Sequence, residues 1–336
     1  ADEDEINPKA GLRGGAANAF AKALAYGGDE KPPLLETLWL DGNPLLCYQD
    51  PKAGQELMQA ITRCKNLTEL GLANVGLSDK AAAALASGKP DESFLGTVVH
   101  RLDLGDNRKQ YCLEALAAMG PSATKDQKGS QVWFPPGAAM AKAFGQALAG
   151  AAKKAAEQEE EADEDDGDED DDDKGTDDVP PLKRLRLSNT GNFGAKGAEK
   201  AVDIFMNGLG RCPKLKILRL DNTGLKDSAG KALCDALSSS EFPLKNSIRE
   251  LDLQGNLLGV ETAKALAAVL PHLALKRLRL QNNKHINEQL QEKLKEVGSD
   301  MVEEVLLVKD DDEEPDDLDD LSDGSSNSSD DDGDDE

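Results

Sequence analysis

The chain has 336 residues, 31% of them charged, and a formal net charge of −26. No apolar stretch approaches the roughly 18 residues of a membrane span, and no signal-peptide pattern opens the chain. The five cysteines, Cys47, Cys64, Cys112, Cys212 and Cys234, are widely spaced and form no C-x-x-C pair, so they suggest neither a disulfide framework nor a zinc site and fit a reducing intracellular compartment.

The acid is concentrated. Residues 157–178 hold 16 acids and one lysine, and residues 310–336 hold 16 acids and no base. Removing a net −15 and a net −16 from −26 leaves about +5 on everything else. The sequence therefore reads as a mildly basic body with two polyanionic appendages. Neither acidic segment can bury enough apolar surface to offset its ordering entropy, so a disordered loop is expected at 157–178 and a disordered tail from about Asp310. In the tail, Ser328 and Ser329 each precede an acid by three residues, an environment that acid-directed kinases favour.

Residues 14–24 read as the helical half of a repeat whose strand is missing, so the array either opens on a helical cap or continues from upstream sequence. The pattern L-x-x-L-x-L-x-x-N follows. Leu35, Leu38, Leu40 and Asn43 match it in full, whereas Leu67, Leu70 and Leu72 precede Val75. Val99, Leu102, Leu104 and Asn107 come next; then Leu182, Leu185 and Leu187 precede Thr190, and Leu215, Leu218 and Leu220 precede Thr223. Ile248, Leu251, Leu253 with Asn256 and Leu275, Leu278, Leu280 with Asn283 are again complete, and Val302, Val305 and Leu307 form a degenerate last copy. In each, the leucines of a short strand point inward and the Asn saturates the turn beyond it. Successive starts lie 32, 32, 83, 33, 33, 27 and 27 residues apart, enough for a strand and a helix per repeat. The helices show in 228–237 and 261–270, where apolar residues recur at i, i+3 or i+4, and i+7. Within the 83-residue interval, 137–148 reads as a helix and 131–134 as a decayed strand. A hidden repeat and an irregular insertion on one rim both fit.

Chemistry-bearing motifs amount to near misses. Residues 224–232 approach a phosphate-binding loop, but the glycine spacing is one too long and Ala232 stands where a hydroxyl would bind magnesium. His100, His272 and His285 lack metal-ligand spacing, and neither acidic run has the register of a calcium loop. No catalytic residue, metal ligand or cofactor site is assigned. The working surface expected is the sheet, where residues between the leucines face outward. Read this way, Trp39, Arg101, Arg184, Arg186, Arg219, Arg277 and Arg279 are the candidate partner-binding residues. Two readings stand side by side. The arginine forks can take an acidic partner, or they are neutralised across strands by pairs such as Arg219 with Glu250 or Asp252.

The repeat resembles the ribonuclease-inhibitor-like subfamily of leucine-rich repeats over roughly residues 11–308, and the cysteine content sets the chain apart from the inhibitors themselves. That resemblance implies an α/β solenoid with parallel strands on a concave face and helices outside, spanning 1–308, interrupted by the acidic loop and followed by an acidic tail at 309–336. The acidic tail is similar to that of the Ran GTPase-activating proteins, which implies activation of a small GTPase through loops at strand ends. Nod-like-receptor repeat domains and ciliary repeat proteins share the repeat. The reading is a non-enzymatic scaffold for protein partners, placed in the cytoplasm, with the nucleus or a ciliary compartment as alternatives and membership of a larger assembly allowed. The alternatives are a GTPase activator and a sink for basic proteins built from the acidic segments. Nucleic acid fits poorly, because two polyanionic segments oppose its approach and there is no aromatic stacking stripe.

Overall fold

The computed structural model describes residues 12, 14–26, 34–118, 135–163, 180–190, 192–298 and 304–306. Eight three-residue strands, β1 Thr37–Trp39, β2 Glu69–Gly71, β3 Arg101–Asp103, β4 Arg184–Arg186, β5 Ile217–Arg219, β6 Glu250–Asp252, β7 Arg277–Arg279 and β8 Glu304–Leu306, form one parallel sheet in sequence order. The central leucines align across it, Leu38 with Leu70, Leu102, Leu185, Leu218, Leu251, Leu278 and then Val305. The degenerate last copy thus does supply a strand, although Leu307 lies outside the described residues.

Parallel strands oblige the chain to return from the carboxyl edge of each strand to the amino edge of the next, and helices make that return. In chain order these are α1 Gly14–Ala25, α2 Pro51–Ile61, α3 Asp79–Ala84, α4 Phe94–Thr97, α5 Lys109–Ala118, α6 Ala138–Asp163, α7 Glu199–Gly210, α8 Asp227–Ser238, α9 Leu244–Ser247, α10 Val260–Val269 and α11 Glu288–Gly298. The longer ones, α5 excepted, stand in a row in the same order as the strands. One continuous core fills the space between, from Ala17 and Leu57 at one end through Phe144 and Phe205 to Leu278 and Leu294 at the other. Small residues bring the row together: a Cβ on Gly145 would meet the Ile204 carbonyl oxygen at 2.3 Å, and one on Gly208 would meet that of Gly145 at 2.6 Å. One leucine-lined strand and one helix per repeat fits a leucine-rich-repeat fold. No helix among the described residues is long and apolar enough to cross a membrane.

The 83-residue interval resolves in favour of an insertion. Strand β3 pairs directly with β4, Leu102 beside Leu185, so no strand enters the sheet between them. Helix α6 is the helical half of the third repeat, lying between α3 and α7. Its first turn is held by Asp79 of the previous repeat, whose carboxylate accepts from the amides of Gly137 (2.8 Å), Ala139 (3.0 Å) and Met140 (2.9 Å). Asp227 does the same for α10, accepting from Gly259 (2.9 Å), Glu261 (3.1 Å) and Thr262 (2.8 Å). Burial alone would raise the Asp227 carboxyl, but the Thr262 hydroxyl and these three amides outweigh it and leave it below the usual range. The insertion carries α5, whose Cys112, Ala115 and Leu116 pack on Leu45 and Tyr48 of the first repeat as a small second core. Residues 131–134 lie outside the described residues. The expected loop at 157–178 starts later than the sequence suggests, because α6 runs through Asp163; residues 164–178 and the tail from Asp310 are outside the described residues.

Where an Asn follows the strand, its side chain closes the repeat. Asn256, 2% exposed, accepts from the amides of Thr223 and Leu225, both at 3.0 Å, and donates to the carbonyls of Leu220 (2.8 Å) and Leu253 (2.9 Å). Asn107 binds Val75, Leu77, Leu72 and Leu104 in the same way. The residue just before it adopts positive φ in all seven repeats: Gly42 (76°), Asn74 (52°), Asp106 (58°), Asn189 (56°), Asn222 (52°), Gly255 (64°) and Asn282 (61°). Glycine, asparagine and aspartate are the residues that tolerate this conformation. Substituting Asn256→Ala leaves two buried amides without a partner and takes one of two donors from each of the Leu220 and Leu253 carbonyls, which keep Thr223 and Asn283, so it is expected to cost about 2–5 kcal/mol in urea unfolding. Asn43→Ala, at a half-buried position, should cost clearly less, and equal costs would contradict the ladder as the source.

Candidate functional site

The leucines take one face of the strands, so the intervening residues form columns on the other, about 4.8 Å apart from strand to strand. The first column runs Thr37, Glu69, Arg101, Arg184, Ile217, Glu250, Arg277; the second runs Trp39, Gly71, Asp103, Arg186, Arg219, Asp252, Arg279. A third continues past the strands through Asp41, Ala73, Gly105, Ser188, Asp221, Gln254 and Gln281. Over β1 to β7 these columns hold six arginines and six carboxylates, so the face is balanced in charge.

All seven candidate residues sit in the first two columns, and the arginines are already engaged. Arg186 bridges two carboxylates, Asp103 at 3.1 Å and Asp106 at 3.0 Å. Burial would lower its guanidinium pKa, but Asp103, Asp106 and Asp221 more than compensate and raise it. Glu250 lies between Arg219 (3.8 Å) and Arg277 (3.4 Å), while Arg279 reaches Asp252 at 3.4 Å. Arg101 lies over the Trp39 ring, 4.7 Å from its centroid, and Arg184 also has an interaction partner. Cross-strand neutralisation, one of the two readings of the sequence, is what the geometry displays.

Trp39 is the large apolar group left open here, 41% exposed. Its ring lies across Gly71, where a Cβ would stand 2.0 Å from the ring's Cε3. Glycine on the neighbouring strand therefore makes the seat, and Arg101 one strand further covers it. Periodicity located Trp39 but gave no sign of that seat, which depends on register with β2.

Sequence reasoning offered Asp252 as a pairing partner but gave no sign that two acids of this face are buried. Asp221 and Asp252 are 7% and 6% exposed; Asp221 accepts a short hydrogen bond from the Ser188 hydroxyl, and Asp252 accepts from the Gln254 amide at 3.1 Å. Burial, reinforced by neighbouring Asp221, pushes the Asp252 carboxyl up to about 6, against the Gln254 amide and Arg279. The signal was present in the third and second outward columns, yet alternation alone does not tell a solvated acid from a buried one. The cysteines take no part: burial pushes Cys47, Cys112, Cys212 and Cys234 up to about 12, so they stay protonated. The phosphate-loop-like stretch is the turn and first helical residues of a repeat, with Gly224 at φ 73°.

No protein-family model and no curated protein sequence matches the chain. Among solved structures, 42 chains match. One is the tropomodulin C-terminal domain of Caenorhabditis elegans, 15% identical, covering 48% of this chain and 81% of that domain, with a TM-score of 0.31.

The raised pKa of Asp252 has a measurable sign. A carboxyl near 6 when folded and near 3.8 when unfolded binds more protons in the folded state between those values, so its contribution to stability falls as pH rises from about 4 to 6. Asp252→Asn removes that dependence. The stability of the variant relative to wild type should therefore increase between pH 4.5 and 7 by on the order of 1–3 kcal/mol, read from urea midpoints at each pH; a difference that does not change with pH would refute it.

Proposed function

We propose that this chain is a leucine-rich-repeat solenoid of the ribonuclease-inhibitor type and works as a non-enzymatic scaffold that binds a protein partner through the open face of its sheet. The observation that carries this reading is the Trp39, Gly71 and Arg101 arrangement at the start of that face. Aromatic and arginine side chains dominate binding hot spots because they cover large areas with few rotatable bonds. Here the glycine seat and the stacked guanidinium hold Trp39 in place before any partner arrives, which reduces the entropy cost of binding.

The charge pattern narrows the partner further. With its arginines paired, the face offers a fixed lattice of both signs rather than a positive field. A partner must match donors and acceptors position by position, so binding should depend only weakly on salt.

Trp39→Ala and Arg101→Ala should each strip the same set of proteins from a native-lysate pull-down analysed by mass spectrometry, with a loss of at least tenfold, while unfolding midpoints stay near wild type. Unchanged capture by both variants would place the interaction elsewhere. The scaffold reading also expects GTP-loaded Ran to hydrolyse at its intrinsic rate in the presence of this protein. Acceleration on the order of 10³-fold or more, the scale of activation in trans, would replace it with the activator reading.

A further inference from the structure

The helix row and the sheet do not begin together. Helix α1 packs on α2, one place ahead of it in the row, and Leu12, which leads into α1, donates its amide to the Asn43 side chain at 2.8 Å. Leu77, Leu225 and Leu258 donate to Asn107, Asn256 and Asn283 from the same place in their repeats. The array thus opens with the loop and the helix of a repeat, whereas the sheet opens on β1. Among the described residues no strand lies beside the outer edge of β1.

That edge has bonds still to make. The first residue of a strand donates its amide to the strand before it, as Arg101 does to Thr68, Arg184 to His100 and Arg277 to Arg249, each at 3.0 Å; the matching amide of Thr37 points outward and has no acceptor among the described residues. Asn107, Asn256 and Asn283 each donate across to the carbonyl that ends the preceding strand, those of Leu72 (2.8 Å), Leu220 (2.8 Å) and Leu253 (2.9 Å). Asn43 donates only within its own turn, to Leu40 (2.8 Å) and Asp41 (3.2 Å). The core is open here as well. Leu35 and Leu38 are half-buried, with Phe20 and Leu24 of α1, although the leucines aligned with Leu38 on β2 to β7 are at most 1% exposed.

The occupant is constrained on several sides. Backbone bonds over an apolar floor call for an extended segment, and α1 already holds the helix position behind it. A second copy docking edge to edge would bring its own α2 to that position and collide with α1. The chain's own sequence offers no strand in this register: a central leucine stands seven residues before Leu77, Leu225 and Leu258, but Glu5 stands seven before Leu12, and Asn7 takes the place of the next leucine. An unpaired carboxylate turned into the core is unfavourable. Alignment with Leu35, Leu38 and Leu40 asks for aliphatic side chains at i, i+3 and i+5. Glu36, exposed and in no salt bridge among the described residues, then neighbours i+1 and favours a cation there.

We propose that the outer edge of β1 takes an extended segment of a partner protein, aliphatic at i, i+3 and i+5 and basic at i+1, as one further parallel strand. Its carbonyls accept from the Thr37 amide and the Asn43 carboxamide, and its aliphatic side chains close the core over Leu38. The site is on the edge of the sheet, so its failure would leave the scaffold reading of the open face untouched.

A synthetic peptide copying residues 182–190, Leu-Lys-Arg-Leu-Arg-Leu-Ser-Asn-Thr, carries this pattern and serves as the probe. A scrambled peptide of the same composition measures attraction to the acidic segments alone. At physiological salt the patterned peptide should bind the full chain at least tenfold more tightly, read by fluorescence anisotropy. Hydrogen exchange resolved to single amides should find Thr37 exchanging fast in the free chain and slowed at least tenfold with peptide bound. Thr37→Pro removes the outward donor, and an edge strand tolerates proline where its N–H faces away from the sheet. That variant should lose at least tenfold in peptide affinity while keeping the proteins captured through Trp39. Equal binding of the two peptides, a Thr37 amide already protected in the free chain, or full peptide affinity in the proline variant would overturn the proposal. The exchange measurement uses the unaltered chain and decides the matter even if the variant fails to fold.

Discussion

The fold depends on one hydrogen-bonding problem, the loop that leaves each strand. That loop turns through a left-handed residue, and beyond the last rung of the backbone ladder, such as Asn222 to Gln254, buried amides such as those of Thr223 and Leu225 have no backbone partner. A carboxamide has two donors and an acceptor on one short stem, so a single Asn can satisfy its own turn and the turn of the preceding repeat together. Asn107, Asn256 and Asn283 do this. The register of the sheet, the alignment of the leucines and hence the columns on the open face follow from where these side chains reach.

Where the Asn is missing, other groups take over. Thr190 donates to the carbonyl just past its own strand, that of Leu187, and the Thr223 hydroxyl bonds the Leu220 carbonyl and the Asn256 side-chain oxygen (3.1 Å). At the junction of β3 and β4 the deficit is met by a polar network: Arg108 donates to the Asn189 carbonyl (2.8 Å) and side-chain oxygen (2.6 Å), Asn189 donates to Asp106 (2.8 Å), and Arg186 spans Asp103 and Asp106. This is also where the long insertion departs, directly after Arg108. The candidate binding residue Arg186 therefore has a structural duty that its outward position would not suggest.

The repeat period was legible because leucines at fixed spacing have to be buried together, and it located every strand, including the degenerate β8. The interrupted interval was ambiguous for a physical reason. A helix of alanines and glycines looks the same whether or not a strand precedes it; the direct pairing of β3 with β4 and the place of α6 between α3 and α7 settle which repeat owns it, and Asp79 holds its first turn across 58 to 61 residues. The left-handed positions were readable in hindsight, since all seven are Gly, Asn or Asp. On the surface, alternation identified the outward residues but not their partners. Whether Arg219 meets solvent or Glu250 depends on which column each occupies, and that needs the strands to be placed side by side.

The side chains that join one repeat to the next run in opposite directions. Asn107 and Asn256 reach back to the preceding loop, whereas Asp79 and Asp227 reach forward to the first turn of the following helix. An internal repeat held by both has dependants on either side. Excising one and rejoining its neighbours would orphan loop amides on one flank and helix amides on the other. These arrays are often treated as strings of exchangeable modules with nearest-neighbour coupling. In this chain the exchangeable unit is the junction between repeats, and shortening or grafting would have to be planned in whole junctions.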